Sequence, residues 1–147
     1  MKALVIATLT CFAVTAATAD SRFIGRWEIN MAKSKRDAAA QPITTRTIVY
    51  TMEGSVLKAV VTTNGRPLTP VLYDGQEHKV ESTTTGFTHI TGTVAGNTLK
   101  TEFKIDGKVV AIRKNSLSSD GRTMTVVADA TMPDGTKTHS EEVYDKK

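Results

Sequence analysis

The sequence predicts an all-β fold, an antiparallel up-and-down meander of about 8–10 strands closed into a barrel. Three observations predict it. Turn signals recur at near-even steps of roughly ten residues: Glu53-Gly54, Asn64-Gly65, Asp74-Gly75, Gly86, Gly96-Asn97 and Asp106-Gly107, with Asp120-Gly121 and Asp134-Gly135 following at slightly longer steps. Asn-Gly and Asp-Gly tolerate the positive φ that primed hairpin turns require. The runs between them are short and rich in Thr and Val, which suit a pleated, half-buried surface. A meander of so many strands in so short a chain exposes two edges, and closure removes both.

The elements follow in order. Lys2 gives a basic start, residues 3–17 are apolar with interspersed Thr, and Ala17-Thr18-Ala19 fits a small-x-small cleavage site. Residues 1–19 therefore read as a cleaved signal peptide and residues 20–147 as a single exported domain, periplasmic or secreted. The apolar run is too short for a permanent membrane span. Cys11 lies inside it, but Thr8 and Thr10 stand where a lipoprotein signal needs an apolar and a small residue. Removing 19 of 147 residues leaves 128, with no cysteine, so one core must hold the domain by packing alone.

In the first strand, Phe23, Gly25, Trp27, Ile29 and Met31 share one phase and Arg26, Glu28 and Asn30 the other. Residues 32–42 form a basic, alanine-rich connection ended by proline, too short for an independent helix. Strands are then predicted at 43–52, 56–63, 69–73, 77–84, 87–94, 98–105, 109–117, 122–131 and 136–144. The cleanest alternation is Leu99, Thr101, Phe103 and Ile105 against Lys100, Glu102, Lys104 and Asp106. Its charged second face meets water and not lipid.

Composition excludes several functions. Without Lys2 the mature chain has 18 basic and 15 acidic side chains, from 19 and 15 in the whole. This mild excess, with few aromatics to stack on bases, argues against nucleic-acid binding. The cluster Lys33, Lys35 and Arg36 reads as a solvated loop. An outer-membrane barrel would carry aromatic girdles, which the 5% aromatic content does not supply. No nucleophile motif or phosphate loop is present, so no catalytic residue, and hence no enzyme, is assigned. His78, His89 and His139 fall on different strands. His139 and Glu141 share a face, but two ligands do not make a metal site. A haem-binding use would require a histidine deep in an apolar cup, for which His89, in phase with Phe87, is the loose candidate. No cofactor or metal is expected.

The opening Phe23-Ile24-Gly25-Arg26-Trp27 resembles the F-x-G-x-W start of lipocalins and fatty-acid-binding proteins, the calycin group. Glycine lets the backbone bend at the barrel end and tryptophan plugs it, so Phe23, Gly25 and Trp27 are assigned to a structural barrel floor. The longer stretch from Gly25 to Asn30, followed by Ala32-Lys33-Ser34-Lys35, is similar to small exported bacterial lipocalin-like proteins. That resemblance extends to the Asp-Gly turns and to Val143-Tyr144, and it implies no settled ligand. Fatty-acid-binding proteins end in an R-x-Y pattern that holds a carboxylate, whereas here Glu142 precedes Val143-Tyr144. A carboxylate ligand thus loses its main partner to a like charge. Arg113 is a substitute if it faces inward, a phase the sequence leaves open.

The functional expectation is an exported binding protein that carries or sequesters a small hydrophobic molecule in the barrel. The candidate lining is Tyr50, Leu57, Leu99, Phe103, Ile112, Arg113, Val126 and Tyr144. The alternative is an interaction module, such as an inhibitor of an exported enzyme, that meets a protein partner through the 32–42 loop on a solid barrel. A carrier requires an interior void; a solid barrel requires large side chains meeting across the axis.

Overall fold

A computed structural model describes residues 17–81 and 86–147. Most of the predicted signal peptide, and residues 82–84 of the strand predicted at 77–84, lie outside the described residues. A 3-10 turn, Ser21–Phe23, opens the fold; the Asp20 carboxylate caps it by accepting the Arg22 amide at 2.9 Å.

The strands are β1 (Gly25–Ile29), β2 (Lys35–Arg36), β3 (Arg46–Glu53), β4 (Val56–Thr63), β5 (Arg66–Pro67) and β6 (Val71–Leu72). They continue with β7 (Glu77–Lys79), β8 (His89–Ala95), β9 (Thr98–Ile105), β10 (Lys108–Leu117), β11 (Thr123–Thr131) and β12 (Lys137–Lys146). One antiparallel sheet runs β5-β4-β3-β1-β12-β11-β10-β9-β8-β7, with β2 added beside β12 and β6 beside β4. Neighbours in sequence pair as hairpins, and β1 joins the two halves by pairing with both β3 and β12. The all-β up-and-down meander is the architecture the turn cadence predicts. At Asn64-Gly65 and Asp106-Gly107 both turn residues have positive φ, 49° and 77° in the first and 49° and 79° in the second. That is the primed geometry matching the strand twist.

The two ends of the sheet meet at Gly92. A Cβ there would collide with the Leu72 carbonyl oxygen and stand 2.9 Å from Val71 Cγ1. β6 therefore lies directly on the backbone of β8, and the Gly75 amide donates to the Gly92 carbonyl at 2.9 Å. The seam is closed by this close approach and not by a continuous ladder.

At one end of the barrel Trp27 is fully buried and donates from Nε1 to the Phe23 carbonyl at 2.8 Å. Lys146 Nζ lies 5.2 Å from its ring centroid, close enough for a cation–π contact. Gly25, at φ 129°, leaves room for that lysine: a Cβ would sit 3.1 Å from Lys146 Cε. Leu57, Leu99, Met124 and Val126 are almost wholly buried in the same continuous core.

Two short strands were not expected. β2 lies within the 32–42 connection and pairs Arg36 with Ser140 and Lys35 with Glu141. Asp37 extends this pairing, giving its amide to the His139 carbonyl at 3.2 Å and taking the His139 amide on Oδ2 at 2.6 Å. Two residues carry no periodicity, so the pairing is invisible in sequence. β5 forms where Arg66 and Pro67 fold back on Thr63 and Thr62. The strand predicted at 69–73 shrinks to Val71–Leu72, because Pro70 has no amide to give to a ladder.

Candidate ligand-binding site

Inward-facing residues alternate with outward ones along every long strand. On β12, Thr138, Ser140, Glu142 and Tyr144 are buried while Lys137, His139 and Glu141 are exposed. On β3 the inward set includes Ile48 and Tyr50, on β4 Leu57, Ala59 and Val61, and on β9 Leu99 and Thr101. Of these, Ile48, Tyr50, Ala59, Val61 and Thr101 line a cavity of ≈ 40 Å³ in the barrel interior. Its walls include Ile48, Ala59, Val61, Leu68, Val71 and Ile90, with Phe87 and Phe103 half-buried against each other at 4.8 Å between ring centroids. Tyr50, Tyr73, Thr101, Asn115 and Arg113 supply polar groups to an otherwise apolar wall.

Those polar groups form a network. Asn115 Nδ2 donates to the Tyr50 hydroxyl at 2.6 Å, and the Tyr73 hydroxyl and Thr101 Oγ1 are 3.1 Å apart. Burial pushes both tyrosine hydroxyls above their usual pKa of 10.0, so they stay neutral. Asn115 is 4% exposed, yet its Oδ1 has no hydrogen-bond partner among the described residues. An unpaired buried acceptor costs about 1–3 kcal/mol. The volume suits a water or two and lies far below the roughly 300–1,000 Å³ of a ligand pocket.

Beside the cavity stands a cluster of charges. The Glu142 side chain is 2% exposed. Its Oε1 accepts from Arg36 Nε at 3.1 Å and Arg46 Nη1 at 2.9 Å. Its Oε2 accepts from Arg46 Nη1 at 3.0 Å, the Tyr144 hydroxyl at 2.7 Å and Arg113 Nη2 at 3.4 Å. Burial alone would raise the Glu142 pKa. Arg113 and Arg46, with the Tyr144 hydroxyl and Arg36, outweigh it and hold the carboxyl below its ordinary value.

The structure distributes the predicted lining unevenly. Tyr50, Phe103 and Arg113 reach the cavity. Leu57, Leu99 and Val126 fill the packed core, and Tyr144 serves the charge cluster. Ile112 is corrected: it has the opposite phase to Arg113, opposite Glu102 and Asp129, and borders a second pocket, of ≈ 360 Å³, with Asp37 and His139. Successive residues of a strand cannot share a face, so fixing Arg113 inward sends Ile112 out. Arg36 is also corrected. It is no solvated loop residue, because β2 turns its side chain onto Glu142 with 15% exposure. Arg46, Tyr73, Thr101 and Asn115 were missed; each is an ordinary polar residue on a strand, and only the barrel brings them together. His89 faces away from the interior beside inward Ile90, with Nδ1 3.1 Å from Thr88 Oγ1. His139 Nδ1 meets Asp129 Oδ1 at 2.7 Å on the surface.

Comparison with solved structures places this geometry. A Schistosoma mansoni fatty acid binding protein in complex with arachidonic acid matches with a TM-score of 0.64 at 14% identity, covering 86% of this chain and 97% of that one. The chain shares the antiparallel β-barrel fold of that protein. The REP1-NXSQ fatty acid transporter matches at 0.63 and 15% identity, covering 87% and 98% of the two chains. A zebrafish ileal bile acid-binding protein complexed with cholic acid matches at 0.59 and 11%, covering 86% and 100%. No protein-family model matches the chain, and no curated protein does.

Proposed function

We propose that this calycin barrel is an exported binding protein for a small hydrophobic molecule taken up in its interior. The observation that carries the reading is the apolar-walled cavity, to whose wall Tyr50, Tyr73, Thr101, Asn115 and Arg113 bring a few polar groups. A guest with an apolar body and one polar end would bury the former against the apolar wall and set the latter among these polar groups. The barrel neighbours named for fatty acids and bile acid bind molecules of this general class, which supports the reading by analogy of fold. Export draws on the small-x-small junction at Ala17-Thr18-Ala19, after which Asp20 caps the first turn of the fold. The finer kinship to small bacterial lipocalin-like proteins draws on the opening motif and the Asp-Gly turns.

Titration with Nile red, an uncharged dye that brightens in apolar sites, tests the proposal. A saturable one-to-one enhancement that Phe103→Asp abolishes is expected. A signal that is unsaturable, or indifferent to Phe103→Asp, would overturn interior binding.

One observation favours a second reading. Tyr50 meets Phe23 at 5.7 Å and Tyr73 at 6.3 Å between ring centroids, so large side chains do span part of the interior. A solid-barrel interaction module would then use the 32–42 segment, most of whose residues are exposed.

A further inference from the structure

Three guanidinium groups and a phenol converge on one carboxylate, and the carboxylate belongs to the chain itself. An ionised carboxylate offers about four lone-pair directions, and the five contacts from Arg36, Arg46, Arg113 and Tyr144 use that capacity fully. The arrangement is what a site for a free carboxylate requires: charge-assisted donors on both oxygens, little water, and rigid strands behind each donor. Arg46 on β3, Arg113 on β10 and Tyr144 on β12 are fixed by long ladders. Arg36 is held in place by its pairing with Ser140.

We propose that Glu142 is a built-in occupant of a carboxylate site, and that it sets the specificity of the barrel toward uncharged molecules and against those bearing a carboxylate. This rests on the interior-binding reading above. A tethered carboxylate acts at an effective concentration that a dilute free ligand does not reach. A free carboxylate must therefore displace Glu142 into an apolar interior or sit beside it as a like charge. Either is costly where water is scarce. An alcohol or amide of the same chain length meets neither obstacle.

The test has two arms. Thermal unfolding of wild type and Glu142→Ala is followed in sodium acetate and in sodium chloride of equal ionic strength. Acetate should raise the midpoint of Glu142→Ala saturably, because it refills the vacated site, and should leave wild type where chloride leaves it. If Glu142→Ala does not fold in chloride, recovery of folded protein on refolding in acetate is the same result. Equal behaviour of Glu142→Ala in both salts overturns the proposal. So does an acetate shift in wild type, which would mean that the surplus arginine charge holds a second anion.

The second arm displaces Nile red with decanol and with decanoate. Wild type should prefer decanol by roughly tenfold or more, and Glu142→Gln should shift the preference toward decanoate by a similar factor. A wild-type preference for decanoate overturns the specificity claim. Failure of Nile red to bind would sink the interior-binding reading while the acetate arm still decides whether the site exists.

Discussion

A carboxylate with 2% exposure stays ionised only because the cations around it return more than desolvation removes, and Glu142 has three of them. The consequence is a pH dependence whose sign is fixed. The folded-state pKa of Glu142 lies below its ordinary 4.5. Its contribution to stability is therefore fully present above about 4.5 and is lost as pH falls through the folded value. Asp20, drawn down to about 2 by its bonds to Arg22, shifts in the same direction, but it lies at the surface and is screened. Denaturant midpoints measured from pH 7 to pH 2 should accordingly fall less steeply for Glu142→Gln than for wild type. At pH 7 that variant should be less stable by about 3–5 kcal/mol, the usual result of stranding buried charge. An unchanged acid limb would mean that the cluster is not coupled to folding.

Among the elements, the seam between β6 and β8 depends on a single absent side chain. Gly92 has no Cβ, so the Leu72 carbonyl sits against its backbone and the Gly75 amide reaches its carbonyl. Gly92→Val inserts a branched side chain into space already taken by Val71 and Leu72. It should destabilise by about 1–3 kcal/mol or more. Hydrogen exchange should show faster opening at the Gly75 amide than at the β11–β12 ladder. Uniform acceleration across the sheet would instead place the weakness elsewhere. β2 shows the opposite lesson: two paired residues convert a basic connection into a fixed arm that delivers Arg36 to Glu142.

For the whole molecule, one core runs from the Trp27 floor to the cavity, shared by all the long strands. Trp27 is wholly buried in that core, its indole nitrogen bonded to the Phe23 carbonyl. Beyond Tyr50 the interior holds a cavity of ≈ 40 Å³ with several polar groups on its wall. The proposed export makes its own prediction. Intact-mass analysis of protein recovered from an exporting host should give a chain beginning at Asp20, and retention of residues 1–19 would refute cleavage there.

Local chemistry determined the fold class. Asn-Gly and Asp-Gly pairs at regular spacing fix where the chain reverses, and period-two alternation fixes which side chains turn inward on runs as clear as β9. Both act through nearest neighbours, so a sequence displays them. The charge cluster was legible only as an anomaly, a Glu ahead of Val143-Tyr144. Its meaning lay in Arg36, Arg46 and Arg113, which are 106, 96 and 29 residues away from Glu142. The inward phase of Arg113 followed from its register with Thr101 and Ala128, and that same register put Ile112 outside. Gly92 reads as an ordinary strand glycine until Leu72 is seen against it. Closure of the barrel decided these points, because it brings together groups that no local pattern relates.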